Sequence, residues 1–362
     1  MEYDGQVRTL LRALPLVWAA LLALVMASLL ARLFGAEPLA VYRLLLAGTW
    51  GNAYGIGQVL FKTTPLIFTG LSVAVAMRAG LFNVGGEGQI LAGAVAMALC
   101  GAHLPAATPP WLAIPLALAA GAAAGAALGG LAGLCRWWAG AHEVIVTILL
   151  NFMTRAVVVG LGAWVFMKES VHTAPVQAGA MLPRLSGWVA ALHGSAVNAA
   201  LLLGLLAVVL YGVMLHSSHL GFALRAVGQN PEAAEASGLN LGRLRTLAMA
   251  LAGALSGLGG ANFVLGYKHY YEDGFSAGMG YLGIAVAVLG QGRPAGVLVA
   301  ALLFGSLSQG GLAVNALVPR EVIDVLTAVV ILAVATASPE IRRLLAQLPA
   351  PLPPAPNPKV GP

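Results

Sequence analysis

Charge is what this sequence has least of. Only 9% of its 362 residues are Asp, Glu, Lys or Arg, whereas 59% are hydrophobic. A soluble domain carries about 25% charged and about 45–50% apolar residues. So few charges could not cover the surface of a water-soluble globule, which excludes a soluble enzyme. Cysteine is nearly absent: Cys100 and Cys135 lie in or beside apolar runs far apart in sequence. They make neither a disulfide framework nor a zinc site. There is no Gly-x-x-x-x-Gly-Lys-Ser/Thr phosphate loop, so ATP chemistry is not expected on this chain. The net charge of +6 comes from basic residues scattered over many loops. They form no stripe, so nucleic acid is not an expected partner, and the excess reads instead as enrichment of loops on one membrane side.

What is abundant is apolar helix and glycine. A bilayer core takes about 20 apolar residues as helix. On that measure the sequence predicts an all-α, polytopic membrane protein of about ten transmembrane helices. The expected spans are 14–34, 59–79, 89–103, 111–135, 144–166, 196–215, 246–266, 281–291, 295–311 and 321–338, with a short interfacial helix at 38–50. Span 14–34 is longer than the apolar run of a secretory signal and is read as retained. Residues 1–13 then form an N-terminal segment, 14–338 the membrane domain with a polar loop at 216–245, and 339–362 a proline-rich tail. Arg8, Arg12, Arg136, Arg225, Arg243, Arg245, Arg342 and Arg343 fall on one side, which puts both termini in the cytoplasm. Gly121, Gly125, Gly129 and Gly133 recur every four residues. They form one helix face suited to close packing against another helix.

Three places depart from apolar helix. Residues 80–89 hold four glycines together with Asn83, Glu87 and Gln89. Such a segment is either a surface loop or a break within the membrane, where irregular backbone must be buried by protein or line a wet cavity. A second interruption, Gly290-Gln291-Gly292-Arg293-Pro294, stands in the other half. Paired interruptions mark transport paths in many carriers. Next, Glu143, Thr147, Asn151 and Arg155 repeat every four residues along one expected helix. This polar stripe is read either as a contact between helices or as a wall of the path. Last, the 216–245 loop divides into a short helix over 221–228 and another over about 231–237. Asn230-Pro231 reads as an N-cap with proline at the first helical position, and Gly238 as a C-cap. Neither piece is long enough to stand alone in water.

These segments carry a resemblance. Gly80 to Gln89, His142 to Thr147 with Asn151, Ala223 to Pro231, Glu232 to Gly238 and Gly280 to Ala287 together resemble bacterial nucleoside and simple-sugar ABC importer permeases. The matches run in order from residue 80 to about 290. The resemblance implies a type II-like permease fold in a bacterial inner membrane. It also implies a second permease subunit, a cytoplasmic ATPase that carries ATP and magnesium, and an extracytoplasmic solute-binding protein. No cofactor is implied on this chain. By the same resemblance, ATPase coupling maps to Arg225, Asn230, Pro231, Glu232, Ala233, Ala234 and Gly238. Translocation-path residues map to Phe82, Asn83, Glu87, Gln89, Glu143 and Asn151. Gly86 departs from the alanine expected in the family, a change expected to matter little to packing.

Two other classes compete. An ion-gradient carrier would couple through Glu87, Arg155 or Asp324. A membrane enzyme would need clustered catalytic side chains, yet the seven histidines fall mostly in loops or at span ends. His216 and His219 read as a surface pair without a third metal ligand. Nucleosides are favoured over ribose-like sugars, and branched-chain amino acids come last, by resemblance alone.

Overall fold

The computed structural model describes residues 24–315 apart from Ala27, with isolated positions at 317, 319, 325, 328 and 329. The expected span 321–338 apart from those isolated positions, Asp324, the part of the 14–34 span before Leu24, and the segments 1–13 and 339–362 lie outside the described residues. Thirteen helices follow one another among the described residues. They are α1 (Leu24–Leu33), α2 (Pro38–Thr49), α3 (Ala53–Arg78), α4 (Gly86–His103), α5 (Pro110–Ala139), α6 (Glu143–Val165) and α7 (Ala200–Ser217). After them come α8 (His219–Gln229), α9 (Pro231–Ala236), α10 (Leu241–Leu258), α11 (Ala261–Val264), α12 (Met279–Leu289) and α13 (Pro294–Val314). No strand occurs among the described residues, only isolated bridges such as His172 with Glu272.

Six stretches are long and apolar enough to cross a bilayer: α3, α5, α6, α7, α10 continued through α11, and α13. A seventh is the α1–α2 pair if its 114° bend is counted within one span. The expected count of ten is not reached among the described residues. The difference lies partly in α4 and α12, which match the expected spans 89–103 and 281–291. The first begins inside the protein, and the second has only 11 residues, about 16 Å of helix.

Helix α3 is the axis. In its apolar stretch 89% of residues are buried, and Leu66, Ile67, Leu71 and Val286 form the adjoining core. The glycine face of α5 meets α10 backbone to backbone. A Cβ at Gly125 would overlap the carbonyl oxygen of Gly253, and one at Gly129 that of Met249. Without a hydrophobic drive between helices in lipid, such close contact is what holds them, so this stripe is a packing surface.

The helix ends sort into two sides. One, the basic end, gathers the ends of α3 and α5, the start of α6, and the α8–α9 pair. Trp137 lies against Gly242 there, and Gly228 against Arg78. At the opposite end, residues 166–199 form an ordered cap built on three short 3-10 turns. It is tied down by bonds such as Leu182 N to the Leu265 carbonyl (2.8 Å) and Gln177 N to the Gly101 carbonyl (2.9 Å).

Candidate translocation path and coupling site

Helix α3 stops at Arg78, and Gly80 (φ +69°) turns the chain back into the protein. Residues 81–85 are not helical, so their backbone groups need other partners. At membrane depth each unsatisfied group would cost several kcal/mol. Side chains supply them. Phe82 N donates to Glu143 Oε1 (3.3 Å) and Gly85 N to Asn83 Oδ1 (2.9 Å). Asn151 accepts from Gly88 N (2.8 Å) and donates to the Val84 carbonyl (2.9 Å). Ser256 Oγ donates to the Gly86 carbonyl (2.7 Å). Asn83 Nδ2 also reaches Ser72 Oγ (3.0 Å) and Gln89 Oε1 (2.9 Å). Asn83 and Gln89 are fully buried, at 0% and 2% exposure.

Depth follows from these partners. Asn151 stands eight residues into α6 and Ser256 fifteen into α10, about 12 and 22 Å from the basic end. In a core about 30 Å thick this is the middle. Of the two readings open in the sequence, burial of the segment between helices fits the break within the membrane.

Glu87 stands in the first turn of α4 and reaches across to the start of α12. Its carboxylate accepts from Ser276 Oγ (2.5 Å), Gly278 N (3.3 Å) and Gly280 N (2.8 Å). Two helix N-termini thus meet in mid-membrane on one carboxylate, where unbonded N–H groups and the helix dipole favour negative charge. The approach is close enough that only glycine fits at Gly280, where a Cβ would overlap Glu87 N. At Gly86 a Cβ would lie 3.0 Å from the Gly280 carbonyl oxygen. An alanine at that position would need the start of α12 to give by a few tenths of an ångström.

The polar stripe of α6 is only partly a stripe. Glu143, Thr147 and Asn151 are buried against the break, and Glu143 also pairs with Arg136. Thr154, Val158 and Gly162 continue the inward face, while Arg155 lies on the exposed side. At 3.6 residues per turn, a four-residue repeat drifts about 40° each step, and by Arg155 the drift has turned the side chain outward.

At the basic end, Arg78 Nη2 donates to the Gly292 carbonyl (2.8 Å), which also accepts from Tyr211 Oη (2.8 Å). The second interruption is thereby pinned to the end of α3. Neither Arg78 nor Tyr211 stood out in the sequence; the basic residue closing an apolar run was the available signal. The α8–α9 pair is built as its sequence dictates. Asn230 Oδ1 caps α9 by accepting from Ala233 N (3.0 Å), Pro231 opens the helix, and Gly238 closes it at φ +85°. Glu232, Ala233 and Gly238 are exposed and Ala234 is buried. Arg225 Nη1 is buried and has no hydrogen-bond partner among the described residues. Gly228, at the end of α8, packs on the backbone of Arg78 and Gly80, where the break begins. Among the described residues no three His, Cys, Asp or Glu gather as metal ligands.

Interrupted helices meeting in mid-membrane, with a helical knob touching the interruption from one end, define a membrane transport component. The family described as the permease component of branched-chain amino acid transport systems matches residues 55–335, and the chain belongs to it. It is therefore an ABC permease, a transport component distinct from the ATP-hydrolysing subunit, and not an ion-gradient carrier or an enzyme. Among its relatives is the nucleoside ABC transporter permease protein NupB of Lactococcus lactis subsp. cremoris, 35% identical over 89% of this chain and 90% of the relative. The guanosine ABC transporter permease protein NupP of Bacillus subtilis is 34% identical over 89% and 92%. The glucose ABC transporter permease protein TsgB13 of Haloferax volcanii is 30% identical over 93% and 88%.

Proposed function

We propose that this chain forms the path for nucleosides in an ATP-driven importer of a bacterial cytoplasmic membrane, with its basic end in the cytoplasm. The observation that carries the coupling is the contact of Gly228 with Arg78 and Gly80. It joins an exposed two-helix knob to the backbone that enters the mid-membrane break. A cytoplasmic ATPase subunit, holding ATP and magnesium, docks on Glu232, Ala233 and Gly238, with Asn230, Pro231 and Ala234 shaping the knob. Arg225, on α8 between the exposed knob and the break, belongs to the same coupling unit. A second permease chain completes the path, in keeping with the relatives NupB and NupC of one organism and NupP and NupQ of another. An extracytoplasmic binding protein delivers the solute. Phe82 and Glu87, which are partly exposed, face the path. The buried Asn83, Gln89, Glu143 and Asn151 hold the backbone that shapes it.

Uptake of labelled nucleosides, ribose and leucine, with and without the gene, tests the reading. Loss of nucleoside uptake that needs ATP and survives collapse of the proton gradient is expected. Loss of ribose or leucine uptake instead would reassign the substrate. Replacing Glu232 and Gly238 together should leave the chain in the membrane but lower uptake and ATPase binding; normal uptake would overturn the docking role.

A further inference from the structure

Helix α6 packs on α4 and α5, with Asn151 on its inward face. Arg155, one turn on, is rotated from Asn151 by about 40° and is exposed. Val157, about 160° round from Arg155, stands 56% exposed among Met153, Gly160 and Trp164 on the apolar outer face. Arg155 thus lies at the edge between the packed face and the lipid face, about 18 Å along the helix from Glu143. No hydrogen bond or ion pair engages it among the described residues. A charge at that depth faces the bundle interior or a wet cavity rather than lipid. Beside it runs the irregular chain that leads into α12. The charge of Arg155 acts on the Tyr271 phenol, whose hydroxyl donates to Asp273 Oδ1 (3.3 Å). Asp273 N is tied to the outer cap through the Val171 carbonyl (2.9 Å), and from there the chain descends to Ser276 and Gly278, both bonded to Glu87. One turn nearer the basic end than Arg155, Asn151 Nδ2 donates to Tyr281 Oη (3.3 Å) in the first turn of α12. Gly274, Ala277 and Tyr281 are exposed, Asp273 and Glu87 partly so, and a Cβ at Gly274 or Gly278 would meet nothing within 4 Å. Irregular backbone at membrane depth is tolerated where it lines a water-filled cavity.

From this we infer that the seam between α6 and residues 273–281 is the outer half of the solute path, with Arg155 as its solute-contacting cation. The seam runs from the outer cap inward to Glu87. Arg155 donates to the oxygen acceptors of a polar, uncharged solute, and Asp273 accepts from its hydroxyls. The inference rests on the transport reading above but not on which solute is carried.

The test uses the assembled transporter in proteoliposomes, with Cys100 and Cys135 replaced by serine. Arg155→Cys and Ala277→Cys should react with a membrane-impermeant charged thiosulfonate about tenfold or more faster than Val157→Cys, since a thiol held in apolar surroundings rarely ionises. Should Arg155→Cys fail to assemble, Ala277→Cys carries the labelling test alone. Arg155→Ala should lower uptake about tenfold, the scale of one lost charge-assisted hydrogen bond, with membrane level and ATPase docking intact. The loss should show as a higher solute concentration for half-maximal uptake, and Arg155→Lys should restore part of it. Labelling at Ala277→Cys no faster than at Val157→Cys, or undiminished uptake by Arg155→Ala, would overturn the proposal. Labelling needs no solute, so fast labelling without nucleoside uptake would sink the substrate assignment alone.

Discussion

Helices α3 and α6 both qualify as membrane spans, yet 89% of the apolar stretch of one is buried and only 22% of the other. The buried helix is the less apolar of the two. It carries three threonines, a serine, a glutamine and a lysine, while α6 shows Ile145, Phe152, Val157 and Trp164 to the outside. In water the order would be the reverse. Lipid makes the protein interior the polar-tolerant place, because there a hydroxyl can bond a neighbouring carbonyl, as Thr63, Thr64 and Thr69 do with the residues four before them. Polar residues in a membrane helix therefore point to its buried or wet side, and the most greasy helices mark the rim.

Four substitutions sharpen or break that contrast. The largest effect is expected for Glu87→Leu, which strips the carboxylate from three donors in mid-membrane. Each stranded donor costs about 1–3 kcal/mol, so uptake should fall at least a hundredfold, with reduced yield of assembled complex. Glu87→Gln should retain part of both. Gly283→Leu comes next. Even a Cβ there would lie 2.6 Å from Thr69, so α12 must leave α3, at about 1–3 kcal/mol, read as a lowered unfolding temperature in detergent. Asn151→Ala removes the one inward amide of α6 and should cost about 1–2 kcal/mol, with a partial loss of uptake. Smallest is Gly160→Ala on the outer side of α6, where a Cβ meets nothing within 4 Å. It should be neutral or stabilise by up to about 1 kcal/mol. A large loss at Gly160 would mean that α6 is covered in the assembled transporter, and the contrast with α3 would fail.

Local signals were legible in the sequence. The cap at Asn230-Pro231, the turn at Gly238 and the packing face of α5 depend on neighbours within a few residues, and each lies where the pattern placed it. The depth of the 80–89 segment was not legible. It is set by Asn151, Ser256 and Gly280, partners 63, 170 and 193 residues away from the groups they bond. Arg155 misled because a four-residue repeat is not a helix period.

Helix α12 ends in glycine on both sides, at Gly278 (φ +82°) and at Gly290 with Gly292 (φ +59°). A rod about 16 Å long with glycine at both ends has the build of a lever. A swing of about 20° would carry its inner tip about 5 Å, more than the roughly 3.4 Å spacing of stacked bases. That tip is held by Glu87 through three hydrogen bonds and the side of the rod by α3, at Thr69 and around Val286, so movement of α12 would have to break both sets of contacts.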